Sequence, residues 1–202
     1  MARNRDQKLA FVISRIFGPL PLICLLWLTV AVKSGIGFWR AIWVYPVIFL
    51  ISIALPFSLT TYLIAKKKVS DIEWSNIKQR RQYLPFITIF GSVSLAVLTY
   101  FLTDQTIFHL GLVLILIINL TVAIWSVFNF KISAHATLAT CTFLAINLFF
   151  HLKFLWLFIL LIPIIWARKT LKMHSMAQLV AGIILPMVIS LMALLLFGWP
   201  NI

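Results

Sequence analysis

The sequence predicts an all-α protein that is embedded in a membrane as a bundle of about six to seven transmembrane helices. Hydrophobic residues make up 63% of the chain and charged residues only 10%, with a mean hydropathy of +1.08. Such a composition is typical of a protein whose solvent is largely hydrocarbon. The apolar runs are continuous rather than alternating, which indicates helices and not barrel strands, because backbone groups in hydrocarbon must be hydrogen-bonded internally. At about 20 residues per crossing, the chain has room for about six or seven spans.

The first part of the chain, residues 1–65, is predicted to hold a basic N-terminal segment and two transmembrane helices. After the basic start, apolar residues recur at helical spacing over residues 9–17. This pattern indicates a short interfacial helix leading into a span that ends near Val32. A cleaved signal peptide is the alternative, but the apolar run is long and has no clear small-residue cleavage site. A second span is predicted over about residues 41–65.

The second part, residues 66–202, is predicted to form the functional core within what is overall a single membrane domain. It opens with a long polar segment, residues 66–83. Further apolar runs then predict spans over about residues 84–102, 106–128, 136–151, 154–166 and 175–199. Two crossings separate each polar segment from the next, so one membrane face is expected to carry all three of them: residues 66–83, 129–135 and 167–174.

The same crossing count divides the four histidines into two pairs. His135 and His174 fall on the face that carries the three polar segments. His109 and His151 fall on the opposite face. Topology therefore selects His135 and His174 as the pair that can act together at one site.

The net charge of the chain is +13, which in a soluble protein would suggest nucleic acid as a partner. In a membrane protein it indicates contacts with anionic lipid head groups and the orientation of the chain. Membrane lipids, and no nucleic acid, are therefore the expected partners. Of the 17 Lys and Arg residues, the face opposite the polar segments carries only Lys33, Arg40 and Lys153. Because basic loops stay in the cytoplasm, a multi-pass protein with a cytoplasm-facing site is predicted.

The three polar segments contain the side chains that phosphoryl transfer requires. One histidine can attack phosphorus while a second protonates the departing oxygen, and Arg and Lys can bind the phosphoryl oxygens and stabilise their charge in the transition state. If a helix begins near His174, then Gln178 stands one turn away on the same face and can hold the imidazole. Taken singly, His174 and Ser133 have simpler explanations. A lone His174 is more often a histidine that faces the lipid head groups, and a lone Ser133 is a common helix N-cap.

In order and spacing, the three segments resemble the type 2 phosphatidic acid phosphatase family of membrane lipid phosphatases. The motifs of that family are K-x6-R-P, P-S-G-H and S-R-x5-H-x3-D, and the resemblance covers about residues 70–182. Arg168 and His174 match the third motif, with Ala167 in the place of its Ser. Ser133, Ala134 and His135 match the second motif, with Ile132 in the place of its Pro and Ala134 in the place of its Gly.

The first motif is matched by chemistry rather than by spacing. The segment KQRRQYLPF has the basic residues and the Pro, but Leu84 stands where the family has Arg before Pro. The arginine must therefore be supplied by Arg80 or Arg81. The resemblance implies that His174 attacks phosphorus and His135 protonates the leaving oxygen. It also implies a set of phosphate-binding residues: Lys78, Arg80, Arg81, Ser133, Ala134 and Arg168.

Gln178 is the departure from the family with the most mechanistic weight. The family has an Asp at this position, which orients the nucleophilic His and stabilises its positive charge. Gln178 can orient the ring of His174 through a hydrogen bond but supplies no negative charge. In serine proteases, the comparable replacement of Asp by Asn lowers the rate by about 10⁴ with the geometry intact. We therefore expect either a slower phosphatase or a pocket kept for binding.

The expected function is the metal-independent hydrolysis of a lipid phosphate or an isoprenoid diphosphate through a phosphohistidine. No cofactor is expected, and the four carboxylates of the chain form no cluster in the sequence that would hold a metal. Two alternatives stay open: a phosphotransferase that passes the phosphoryl group to a lipid alcohol, and a catalytically silent protein that binds lipid phosphate. The sequence leaves the substrate and the oligomeric state open.

Overall fold

The computed structural model describes residues 4–33, 37–102 and 106–197, without the side chains of residues 95–96, 98–102, 106–113 and 197. Helices, and no strands, form the regular structure of these residues, which confirms the predicted all-α class. A π-helical turn, Leu50–Ala54, joins α3 to α4, and a 3-10 helix, Leu155–Leu160, precedes α8. The α-helices are α1 (Arg5–Ile16), α2 (Pro19–Lys33), α3 (Phe38–Phe49), α4 (Leu55–Ala65), α5 (Ile77–Leu102), α6 (Thr106–Val127), α7 (Ala134–Phe149), α8 (Leu161–Thr170) and α9 (Met176–Phe197).

Three described segments are long and apolar enough to cross a membrane: Arg5–Lys33, which comprises α1 and α2, Phe38–Ala65, and Met176–Leu196. Large apolar side chains on these segments are exposed, among them Leu28 at 60% and Leu195 at 77% of their surface. Lipid, rather than water, is the solvent that such surfaces fit. The structure is therefore consistent with an integral membrane protein built as a helix bundle. The count of six to seven spans stays a prediction.

The chain folds into two compact units. Unit 1 consists of Met1–Lys33 and Ile132–Ile202, and unit 2 consists of Ser34–Lys131. The predicted division between residues 1–65 and 66–202 concerns function rather than packing, and it stays a prediction. The second and third motifs lie in unit 1, and the basic residues of the first motif lie in unit 2.

Two helices begin at other residues than the apolar runs suggested. α5 begins at Ile77, seven residues before the predicted span, and the side chain of Asn76 caps it by accepting a hydrogen bond from the N–H of Lys78 at 3.0 Å. Hydropathy marks only the part of a helix that fits hydrocarbon, so it does not predict the polar first turns of α5. α9 begins at Met176, which leaves His174 just outside the helix that was expected to start near it.

Unit 1 is built around α7. The core of the unit joins Leu22 of α2, Phe143 of α7 and Ile164 of α8, and α1 packs on α8 with Ala10 fully buried. α9 approaches α7 closely at Gly182, where an added Cβ would lie 3.0 Å from the Cβ of Ala136. A Cβ contact at that distance is tighter than is usual and would require its neighbours to give by a few tenths of an ångström, so Gly182 lets the starts of α7 and α9 meet without this adjustment.

Unit 2 has a small core between the polar loop and α5. Val69, Trp74 and Ile87 are buried together. Asp71 holds the loop by accepting hydrogen bonds from the hydroxyl groups of Ser70 at 2.9 Å and Ser75 at 3.1 Å. Burial acts to raise the pKa of Asp71, but the hydrogen bonds from Ser70 and Ser75 outweigh it and hold the pKa below its ordinary value of 3.8.

Candidate functional site

The start of α7 places His135 inside unit 1. Ser133 is the N-cap of α7, and its hydroxyl accepts a hydrogen bond from the N–H of Ala136 at 3.5 Å. Ser133 is fully buried, and His135 keeps only 5% of its surface exposed. A helix that begins in this way directs its first N–H groups and their partial positive charge towards the region before Ser133, which favours an anion there.

His135 is held by a residue of α1. Its Nε2 lies 3.3 Å from the hydroxyl oxygen of Ser14 and 3.2 Å from the backbone carbonyl oxygen of Ser14. A carbonyl oxygen can only accept a hydrogen bond, so the second contact requires a proton on Nε2. The hydroxyl oxygen can accept from the same N–H. The ring is thereby fixed in the form in which Nε2 carries a proton, which is the proton that a general acid would deliver.

Arg168 reaches the same hydroxyl from the end of α8. Its Nη1 donates a hydrogen bond to the Ser14 hydroxyl oxygen at 2.8 Å, and the side chain keeps only 2% of its surface exposed. A single oxygen atom thus lies within hydrogen-bond distance of both an imidazole N–H and a guanidinium N–H. The geometry brings together His135 and Arg168, which the sequence predicted to act at one site.

The carbonyl of Ser14 can serve His135 because α1 ends just after it. In a continuing helix this carbonyl would accept from the N–H of Gly18, but that N–H instead bonds to the carbonyl of Arg15 at 3.2 Å. A Cβ added to Gly18 would lie 3.2 Å from the Ser14 carbonyl oxygen. The turn at Gly18 therefore leaves the carbonyl of Ser14 both unused by the helix and open to the imidazole.

His174 is held locally, at the start of α9. Its Nδ1 lies 3.3 Å from Oε1 of Gln178, and it keeps 8% of its surface exposed. Because an amide oxygen can only accept, this contact requires a proton on Nδ1 and leaves the lone pair of the neutral ring on Nε2. Nε2 is the nitrogen that would then attack phosphorus, as the predicted role of His174 requires.

Gln178 also caps the start of α9, which was not predicted from the sequence. Its Oε1 accepts a hydrogen bond from the N–H of Ser175 at 3.1 Å, and its own N–H donates to the Ser175 hydroxyl at 3.3 Å. The two residues form a capping box at the start of α9, for which the spacing Ser-x-x-Gln is the sequence signature. The contact between His174 and Gln178 therefore comes from the cap that precedes the helix, and not from one turn within the helix.

Backbone contacts join the two histidine-bearing segments. The N–H of Ser133 donates to the carbonyl of Gln178 at 3.2 Å, and an added Cβ at Gly182 would lie 3.0 Å from the carbonyl oxygen of Ser133. The residue two positions before His135 and the residue four positions after His174 are therefore in direct contact. Ala134 lies between Ser133 and His135 as the first residue of α7.

The predicted phosphate ligands of the first motif lie on the first turns of α5, in unit 2. Arg80 is 2% exposed, and its Nε donates a hydrogen bond to the hydroxyl of Ser126 at 3.3 Å. Lys78 and Arg81 are exposed. Of the two arginines considered for the first motif, only Arg80 is thus held in a fixed position by a neighbouring helix. The predicted role of all three in binding phosphate stays a prediction.

Sequence reasoning missed three residues of this site: Ser14, Ser175 and Gly182. A signal for Ser14 was present, because small residues recur every four positions at Ala10, Ser14 and Gly18, a spacing that predicts close helix packing in membranes. Its contact with His135 had no such signal, since 121 residues separate the two. His151 lies beyond the far end of α7 and is exposed, and the side chain of His109 lies outside the described part of the chain.

No protein-family model, curated protein or solved structure matches this chain. The likeness to the type 2 phosphatidic acid phosphatases therefore depends on the three short motifs and on their order. The contacts made by His135, Arg168 and His174 are the structural observations that bear on function.

Proposed function

We propose that this protein is a membrane enzyme that hydrolyses a lipid phosphate or an isoprenoid diphosphate through a phosphohistidine. The observation that carries the proposal is that His135 and Arg168 converge on one oxygen atom, the hydroxyl of Ser14, at 3.3 and 2.8 Å. This pair suits the cleavage of a phosphate ester, because a guanidinium neutralises charge on a phosphoryl oxygen while an imidazole N–H protonates the oxygen that leaves.

In the first step, Nε2 of His174 attacks phosphorus and the bond from phosphorus to the leaving oxygen breaks. His135 acts as the imidazolium, with a proton on each ring nitrogen: the proton on Nε2 moves to that oxygen, which departs as a lipid alcohol or, from a diphosphate, as a monophosphate, and His135 is left as the neutral ring. Gln178 keeps the attacking nitrogen oriented through its hydrogen bond to Nδ1 of His174. In the second step, a water molecule gives a proton back to His135 and cleaves the phosphohistidine, and inorganic phosphate is released.

The residues that bind phosphate in this proposal are of two kinds. Arg168 and the start of α7, with Ser133 and Ala134, belong to unit 1 together with both histidines. The contribution of Lys78, Arg80 and Arg81 is argued from the sequence motif alone. The reaction uses only side chains of this chain, so we expect phosphate release to persist in the presence of a metal chelator.

The test is an assay of phosphate release from a panel of lipid phosphates and isoprenoid diphosphates, with the purified protein in detergent. Turnover of at least one substrate, together with an acid-labile, base-stable phosphoryl group on the wild-type chain that His174→Ala lacks, is the expected result. Phosphate release that survives His174→Ala would remove the assigned nucleophile and the mechanism with it.

Two other functions predict different outcomes in the same assay. A phosphotransferase would form a new phosphate ester when a lipid alcohol is added, because either water or an alcohol can resolve a phosphohistidine. A silent binding protein is favoured by Gln178, which supplies no charge to the imidazole. It would retain lipid phosphate on the purified protein without releasing phosphate from any member of the panel.

The proposal includes six to seven spans and a site that faces the cytoplasm. Lys153 precedes α8 of unit 1 and Lys169 lies in the last turn of α8; both are exposed, and the sequence places them on opposite faces of the membrane. In a chain without Cys24 and Cys141, we expect an impermeant thiol reagent to label Lys153→Cys in intact cells. Lys169→Cys should be labelled only after the membrane is opened, and the reverse pattern would place the site outside.

A further inference from the structure

The N-terminal helix α1 lies outside all three motifs, yet it supplies the atom on which two motif residues converge. The hydroxyl of Ser14 accepts from Arg168 at 2.8 Å and lies 3.3 Å from Nε2 of His135. Both contacts are buried, and 154 and 121 residues of chain separate the partners. Nothing in the sequence of α7 or α8 creates this junction, so it exists only because α1 packs on α8.

We infer that Ser14 is a positioning residue of the active site, which holds His135 as the general acid and Arg168 as the phosphate ligand in one fixed arrangement. The inference deepens the proposed function and rests on it. Ser14 acts with two atoms, because its carbonyl oxygen fixes the proton on Nε2 of His135 and its hydroxyl oxygen ties that nitrogen to Arg168.

Two other roles for Ser14 are less consistent with these contacts. As a nucleophile, Ser14 would need His135 to accept its proton on Nε2, but the contact of Nε2 with the Ser14 carbonyl at 3.2 Å requires that nitrogen to carry a proton. As a plug, α1 would occupy the place of the phosphate and leave on activation. Against this, α1 packs on α8 and is anchored on the side that bears Ser14 by Ala10, which is fully buried.

If Ser14 has this role, His135 depends on the hydroxyl group of Ser14 to act as the general acid. With Ser14→Ala, His135 keeps the carbonyl contact but loses the oxygen shared with Arg168, so the ring and the guanidinium can move apart. We expect kcat to fall by about 10- to 100-fold, with KM changed less than about threefold. Ser14→Thr retains a hydroxyl at the same position and should restore most of kcat.

The experiment combines a leaving-group comparison with a double-mutant cycle. A phenolic leaving group needs no general acid, so Ser14→Ala should slow an aryl phosphate much less than a lipid phosphate ester. In a chain that already carries His135→Ala, adding Ser14→Ala should lower kcat less than it does in the wild-type chain, because only the contact of Ser14 with Arg168 is then left to lose. Ser190→Ala is the matched control and should leave kcat unchanged. It also removes a buried hydroxyl, but from α9, which bears neither Ser14 nor His135.

A spectroscopic measurement separates failure of this inference from failure of the proposed function. In protein labelled with ¹⁵N-histidine, the Nε2 signal of His135 should show a bound proton and should shift with Ser14→Ala and with Gly18→Ala, whether or not the protein turns over a substrate. An unshifted signal overturns the inference, as does a kcat that is unchanged or raised by Ser14→Ala. If wild-type protein turns over no member of the panel, the proposed function fails, and the signal alone decides whether Ser14 positions His135.

Discussion

The starts of α7 and α9 each present one of the two histidines, but they hold it by different means. At the start of α9, His174 contacts Gln178, four residues later in the chain, within a capping box. At the start of α7, His135 contacts Ser14, which precedes it by 121 residues. The contact of His174 with Gln178 needs only the start of α9 to form. The contact of His135 with Ser14 needs α1 to pack on α8 as well.

This difference bears on what each histidine can do. A locally held imidazole keeps its orientation when neighbouring helices shift, which suits a nucleophile that must attack along one line. An imidazole held across the fold moves with its partners, and its proton is fixed by atoms of α1. The two histidines should therefore respond differently to changes made far from them in the chain.

The largest expected effect is that of removing His174, the histidine that is held by a residue close to it in the chain. His174→Ala removes the nitrogen that we propose attacks phosphorus, and we expect kcat for phosphate release to fall by about 10⁴-fold or more. His151→Ala, which removes an exposed histidine beyond the far end of α7, is the control and should retain full activity. If His174→Ala loses less than about tenfold, the start of α9 has no catalytic role.

The contact between the two starts can be broken at Gly182. An alanine there would place its Cβ 3.0 Å from both the Cβ of Ala136 and the carbonyl of Ser133, so α7 and α9 must separate. We expect Gly182→Ala to destabilise the protein by about 1–3 kcal/mol, measured by thermal unfolding in detergent, and to lower kcat as well.

Gly91→Ala is the matched control for Gly182→Ala. Gly91 is also a helical glycine, but a Cβ at this position would meet only Pro56 at 3.8 Å, an ordinary contact. Since alanine favours a helix over glycine by about 0.5–1 kcal/mol, Gly91→Ala should be neutral or stabilising. Equal effects of the two substitutions would show that the approach of α9 to α7 at Gly182 is not a tight one.

The side-chain oxygen of Gln178 contacts both Nδ1 of His174 and the N–H of Ser175, and substitutions can separate these two roles. Gln178→Glu keeps the length of the side chain and its acceptor oxygens, and it adds the negative charge that stabilises the imidazolium of His174. We expect kcat to rise by about 10-fold, the equivalent of about one pKa unit of interaction. The shorter Gln178→Asp adds the same charge and should raise kcat less if it cannot reach both donors.

Ser175→Ala separates capping from catalysis in the same segment. It removes the hydroxyl that accepts from the N–H of Gln178 but leaves the contact of Gln178 with His174. We expect a loss of stability of about 1 kcal/mol with little change in kcat, whereas Gln178→Ala should lower both. A kcat for Gln178→Glu that falls below wild type would show that the pocket is built around a neutral partner.

The smallest expected effect concerns a second locally held segment, the loop before α5. Because the folded pKa of Asp71 lies below its ordinary value of 3.8, its contribution to stability is present above that value and is lost as the pH falls below 3.8 towards the folded pKa. An acid-active protease should therefore cleave this loop faster as the pH falls, by about fivefold or less, since Asp71 is largely solvated. Asp71→Asn should abolish this dependence, and Asp6→Asn should retain it.

Features that depend on composition and on neighbouring residues could be predicted from the sequence. The all-α class followed from continuous apolar runs, and most helix positions followed from the lengths of those runs. The contact of His174 with Gln178 could be predicted because only four residues separate them. The capping box of Ser175 and Gln178 could also have been read from the sequence, since its signature depends on spacing alone.

The tertiary structure decided which distant residues meet. The junction of Ser14 with His135 and Arg168 requires α1 to end at Gly18 and to pack on α8, and no periodicity within one segment encodes a contact across 121 residues. The close approach at Gly182 is likewise a property of two helices together. Hydrophobic pattern fixes which face of a helix is buried, but the partner of that face is chosen by packing of the whole unit, and this choice placed an atom of the N-terminal helix between the two motif residues.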